Sequence, residues 1–202
     1  MTPTIDYYFA PQSPWTYLGH ARIGALAKAA GAAVRMLPSD LGRVFPVSGG
    51  LPLAKRAPQR QAYRLVELRR FAEHLGLPLN LHPAFFPVAV DDAARLLIAV
   101  DRLDGTAAAM ALAGRVMRGV WVDERDIANA GTLAAMLAEQ GLAARRIDDA
   151  RAPEVQARYD ANTQQAIETG IFGAPTYVVD GEMFWGQDRL DFVARRLGQP
   201  VS

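Results

Sequence analysis

The sequence predicts an α/β domain built from both ends of the chain, residues 1–40 and 170–202, around an all-helical insertion at 41–169. Three observations carry that expectation. A strand, a helix and a second strand follow one another with short links at the N-terminus, the pattern of a right-handed βαβ unit. Strand signals are then absent from 38 to 173, where Ala-rich segments run at helical spacing. They return at the C-terminus as a hairpin followed by a last helix.

Ile5 to Phe9 is an apolar run that predicts a buried strand. Ser13 is a preferred N-cap and Pro14 suits the first helical position, so a helix is expected over 14–30, with Ala25, Leu26 and Ala29 among its apolar positions and Gly31 as its stop. Ala33 to Leu37 reads as the second strand, closed by Pro38. Asp40 to Pro58 holds three glycines and three prolines within its bounds and predicts a long irregular loop of functional character. Leu65, Leu68, Ala72 and Leu75 recur at helical spacing in 59–75, and Gly76 opens a Pro-rich connector to Pro87. Helices are expected over 89–102, 106–121, 130–140 and 153–169. Ala174 to Val179 is β-rich, Asp180-Gly181 is a hairpin turn, and Glu182 to Trp185 returns. Gly186-Gln187-Asp188 then opens the final helix, with Leu190, Val193 and Leu197 on one face.

The composition excludes several classes. Half of the 202 residues are hydrophobic and 21% are charged, ordinary for a globular domain with a sizeable core. A net charge of +1 points to neither nucleic acid nor a membrane surface. The chain has no cysteine and therefore no disulfide framework, and a reducing cytoplasm is the simplest location. Met1-Thr2-Pro3-Thr4 leads directly into the strand, leaving no expectation of a secretion signal, and no apolar run approaches the ~20 residues of a membrane span. Three scattered histidines offer no metal-ligand cluster, and His20 and His74 read as helix residues with no partner pattern. Ser13 lacks a Gly-x-Ser-x-Gly elbow, and no phosphate-binding glycine loop is present.

Two segments carry the chemistry. Ser13-Pro14 places a hydroxyl at a helix N-terminus, where the macrodipole favours an anion; read alone, Ser13 is simply a cap. Gly170-Ile171-Phe172-Gly173-Ala174-Pro175-Thr176 sets a proline just before a strand, where a cis bond would leave the preceding backbone free for an extended ligand, although trans is the default for such a bond. With Phe184-Trp185-Gly186-Gln187-Asp188-Arg189-Leu190, these segments resemble the 2-hydroxychromene-2-carboxylate isomerase family, which is similar to kappa-class glutathione transferases and DsbA-like oxidoreductases. The resemblance covers essentially the whole chain, most specifically at its two ends.

That resemblance implies a thioredoxin-like domain with an inserted all-helical domain, and glutathione as catalytic cosubstrate. Ser13 stands where thioredoxin-like proteins carry a reactive cysteine, and by the resemblance it hydrogen-bonds and activates the glutathione sulfur. Ala174 and Pro175 would pair with the cysteinyl backbone, and Trp185, Gly186, Gln187 and Asp188 would hold the γ-glutamyl end. Family members often carry Asn or Ser where Gln187 stands. A homodimer and a small aromatic-derived carboxylate substrate are implied as well. A kappa-type transferase or peroxidase, or a glutathione- or peptide-binding module without chemistry, would use the same groove.

Outside those motifs, Lys55, Arg56, Arg60, Arg64, Arg69 and Arg70 form a basic stretch. It reads either as a solvated helix face or as an attractor of anionic glutathione or a carboxylate, with Lys55 and Arg56, in the loop, the better candidates. His82, Phe85 and Phe86 read either as a packed connector or as the lining of an aromatic-substrate pocket, together with Trp15.

Overall fold

A computed structural model of the protein describes residues 2–200. At its centre is β1 (Thr4–Phe9), paired in parallel with β2 (Ala33–Pro38) and antiparallel with β3 (Thr176–Val179). β3 pairs antiparallel with β4 (Glu182–Trp185), giving the order β2-β1-β3-β4. The apolar run of β1 follows from its place. Ile5, Tyr7 and Phe9 enter one buried cluster, and Tyr8, on the other face, enters a second. The Tyr7 ring stacks between Phe9 and Tyr177, at centroid distances of 4.6 and 5.5 Å.

Most of the helices lie between β2 and β3; α3 (Pro58–Leu75) packs Leu68 and Ala72 on Leu18 in a cluster of its own. The first cluster runs on into α4 (Asp91–Asp104), α5 (Thr106–Trp121), α6 (Ala130–Glu139) and α8 (Pro153–Thr169). α4 and α5 are its largest contributors, with Leu96, Leu97, Leu112, Val116 and Trp121 among their buried residues.

Four expectations change. Part of the long loop is helical, forming α2 (Leu41–Ser48) and, after it, a 3-10 turn at Leu53–Lys55. Asp40 caps α2 by accepting from the Gly42 N–H at 2.7 Å, and Gly49 ends it in the left-handed conformation at φ 76°. Val44, wholly buried with Tyr8, Leu37 and Ala166, holds the helix in place despite Pro46. A short α7 (Arg146–Asp149) fills the gap before α8. In α1 (Pro14–Ala29) the buried face is Leu18, Gly19, Ile23 and Ala27, while Ala25 and Ala29 are exposed, because α1 is pressed against both α5 and the C-terminal segment. The last helix begins later than expected: residues 187–189 form a 3-10 turn and α9 is Leu190–Arg196.

His20 is a further correction. It is buried and partnered on both ring nitrogens, with Nε2 donating to the Met110 carbonyl at 2.8 Å and Nδ1 accepting from the Tyr7 hydroxyl at 3.1 Å. Burial, the dominant influence, lowers its pKa from 6.5, so the neutral tautomer fits both bonds.

Candidate active site

Ser13 is the N-cap of α1. Its Oγ accepts from the Thr16 N–H at 3.2 Å and donates to the Ala174 carbonyl at 3.3 Å, a contact joining residues 161 apart in sequence. Both distances lie at the long end of the hydrogen-bond range, so the hydroxyl can be redirected at small cost. The loop before it is clamped from the helical side. The Trp121 indole N–H donates to the Gln12 carbonyl at 3.2 Å, and the Gln12 side-chain oxygen accepts from the Val88 N–H at 3.0 Å.

Ala174-Pro175 is a cis peptide. Thr176 fixes the turn by donating to the Gly173 carbonyl at 2.7 Å, and the Gly186 N–H donates to the Pro175 carbonyl at 2.9 Å. Among the described residues the Ala174 N–H makes no backbone hydrogen bond, leaving a donor beside the carbonyl that Ser13 touches. A side chain at Gly173 would collide with the Trp185 indole, and one at Gly186 (φ 112°) with the Asp188 carboxylate. Small residues here let backbone and cleft come close.

These segments face a cleft of ≈ 510 Å³, in the size range of small-molecule sites. Ala174, Trp185, Gly186, Gln187, Asp188 and Arg189 line it from the C-terminal segment. Arg56, Arg60, Tyr63, Arg64, Glu67 and Phe71 line it from α3 and the residues before it, and Trp15 joins the two by an edge-on contact with Phe71 at 6.0 Å. Ser13, 9% exposed, reaches the cleft through Ala174 and lies two residues before Trp15.

The structure thus brings together Ser13, Ala174, Pro175, Trp185, Gly186, Gln187, Asp188 and Trp15. Gln187 differs from its neighbours in being 1% exposed, with its side-chain oxygen turned to Arg22 at 2.9 Å. Asp188 pairs with Arg189 at 2.8 Å, an exposed contact. Lys55 does not line the cleft; Arg56 beside it does. Neither Phe85, which is exposed, nor Phe86 lines the cleft; Phe86 packs on Trp121 at 4.8 Å beneath the guanidinium of Arg64. Sequence reasoning passed over Arg189, and it preferred Lys55 to the mid-helix Arg64. The available signal was the recurrence of residues 60, 63, 64, 67 and 71 on one helical face, with Tyr63 and Phe71 interleaved among the charges.

A four-stranded sheet with a cis-proline loop facing a capped helix N-terminus defines the class. The model of the DSBA-like thioredoxin domain matches residues 4–198. The 2-hydroxychromene-2-carboxylate isomerase of Sphingobium xenophagum is 31% identical over 96% of this chain and 97% of its own. A solved structure of 2-hydroxychromene-2-carboxylate isomerase superposes with a TM-score of 0.81 at 29% identity, covering 96% of this chain and 94% of the other. Glutathione S-transferase kappa 1 of Caenorhabditis elegans is 25% identical over 98% of this chain and 92% of its own. The chain belongs to the 2-hydroxychromene-2-carboxylate isomerase family of DsbA-like thioredoxin-fold proteins, and with it to the isomerases.

Proposed function

We propose that the protein is a glutathione-dependent isomerase acting on an aromatic-derived, unsaturated carboxylate of the 2-hydroxychromene-2-carboxylate type. The observation that carries this is the contact between the Ser13 hydroxyl and the Ala174 carbonyl, in a chain without cysteine. The residues present suit a thiol tripeptide. Ala174 offers a free backbone donor next to an acceptor, Gly173 and Gly186 leave room for close approach, and Asp188 and Arg189 present one charge of each sign to an amino-acid zwitterion. Bound glutathione would supply a sulfur nucleophile whose reversible addition to the conjugated alkene makes that bond single, allows rotation, and is undone by elimination.

Ser13 would hold the sulfur as its anion. A free thiol of pKa ~8.5 is mostly protonated at neutral pH, and a hydroxyl donor at the N-terminus of α1 stabilises the charged form. The long Ser13–Ala174 bond is the one exchanged: the hydroxyl turns from the carbonyl to the sulfur, and the carbonyl is released to the ligand backbone. Trp15, Tyr63 and Phe71 supply aromatic surface for the substrate ring. We further place the protein in the cytoplasm as a homodimer; a monomer mass by light scattering would refute the latter.

Ser13→Ala tests the assignment. It should lower kcat about 10- to 100-fold, the worth of one hydrogen bond to a charged group, and shift the thiolate absorbance of bound glutathione to higher pH. Unchanged turnover would refute the role given to Ser13. Near-full-length similarity to a kappa-class transferase favours one second reading, thioether formation at the same site. Counting glutathione separates the two, since an isomerase consumes none.

A further inference from the structure

Arg64 lies mid-helix in α3, points its guanidinium over the rings of Phe86 and Trp121 at 5.2 and 5.8 Å from their centroids, and lines the cleft. Among the described residues it has no ion pair. The one carboxylate near it on the helix, Glu67, is taken by Arg70 at 2.7 Å. The charge that acts on it is that of another cation, Arg56, whose Nε is spent on the Leu51 carbonyl at 2.8 Å. Burial and the Arg56 charge together push the Arg64 guanidinium down to about 10, the mark of a desolvated cation lacking a counterion. The other cleft acid, Asp188, is paired with Arg189, so the α3 side is left with net positive charge.

We propose that Arg64 anchors the carboxylate of the second substrate, with the Phe86 and Trp121 rings beneath its guanidinium and Tyr63 and Phe71 flanking the substrate's ring. This rests on the isomerase reading for the identity of the substrate, but not for the anion site itself. With no ion pair to occupy it, the planar guanidinium fork matches a carboxylate in two-point contact. Glutathione also carries carboxylates. The α3 side is assigned to the second substrate because the arginine there is interleaved with Tyr63 and Phe71, which suit an arene, whereas the residues suited to the tripeptide come from the C-terminal segment. Trp121 also holds Gln12, next to Ser13, so the anion site and the sulfur site share one support.

The test uses trans-cinnamate, a ring, an alkene and a carboxylate that need not react, and its neutral counterpart cinnamamide. Binding is measured by calorimetry to the full-length protein. Arg64→Gln should weaken cinnamate about 10- to 100-fold, the range of a charge-assisted contact, and leave cinnamamide and glutathione within about twofold. Arg64→Lys should recover part of the loss. Removing an uncompensated cation should leave Tm unchanged or raised, which separates anion binding from a structural role. Equal affinity of wild type and Arg64→Gln for cinnamate would overturn the proposal, and so would a loss shared with cinnamamide. A loss confined to glutathione would also overturn it, by assigning Arg64 to the tripeptide. Arg64-dependent cinnamate binding without isomerase turnover would retain the anion site and refute the isomerase reading alone.

Discussion

Gly19 and Gly24 lie on the same helix, yet alanine at the two positions should act in opposite directions. Alanine is favoured over glycine in a helix interior by about 1 kcal/mol, and at Gly24 that gain is unopposed, since a Cβ there meets only the Met110 methyl at 3.6 Å. At Gly19 the Cβ would sit 2.8 Å from the Tyr177 hydroxyl and 2.9 Å from Gln187 Cβ, with the Gln187 backbone at 3.4 Å. Tyr177 and Gln187 are almost wholly buried, so neither can swing aside. Overpacking of this kind costs about 1–3 kcal/mol, which cancels or exceeds the helical gain. The two variants should therefore differ by about 1–3 kcal/mol, or about 2–12 °C in Tm for a chain of this size, with Gly24→Ala above wild type and Gly19→Ala at or below it. Calorimetric melting of the two beside wild type decides the matter. A second readout is the glutathione Kd, which should rise only for Gly19→Ala because the displaced 3-10 turn carries Asp188. If the two variants melt together, α1 and the turn at 187–189 do not pack as closely as described.

His20 should make stability depend on acidity. Its folded-state pKa is depressed, so its contribution is complete above the unfolded value of 6.5 and is lost as pH falls below it, where the unfolded chain takes up a proton and the buried ring does not. His20→Leu, which strands the Tyr7 hydroxyl and the Met110 carbonyl, should cost about 1–3 kcal/mol at pH 8, and the gap to wild type in urea unfolding should narrow toward pH 5. A gap independent of pH would refute the assignment of a buried neutral ring. Gly173→Ala should displace the half-exposed Trp185 indole outward at less than about 1 kcal/mol of stability while raising the glutathione Kd, followed by tryptophan fluorescence. A large fall in Tm with unaltered affinity would contradict it.

Much of the fold was legible because periodicity and punctuation agreed. The run from Ile5 to Phe9, the Ser13-Pro14 start and the Asp180-Gly181 turn each rest on local chemistry that tertiary packing did not override. α2 was hidden because Gly42 and Pro46 speak against a helix, while what holds it is Val44 meeting Ala166 of α8, a contact no local pattern encodes. His20 was misjudged for the same reason, its partners lying on β1 and α5. In the candidate site, Ser13 and the Ala174–Asp188 segments stood out as motifs. Arg64 did not, because an arginine among arginines on a helix resembles a solvated face until the aromatic platform beneath it is known.

The bond from Trp121 to the carbonyl of Gln12 has a consequence for anyone wishing to retool this protein. Trp121 belongs to the helices that would choose the substrate, and Gln12 to the loop that presents Ser13. Repacking α5 for a bulkier or slimmer compound should therefore also shift the Ser13 hydroxyl, the group proposed to tune the sulfur. Under the proposed function, a change of substrate scope would then carry a change in thiol acidity. Libraries that vary the helical wall while sparing Gln12, Val88 and Trp121 should keep a working sulfur site, whereas wholesale exchange of the helices between relatives should disturb it even when every residue contacting the thiol is retained.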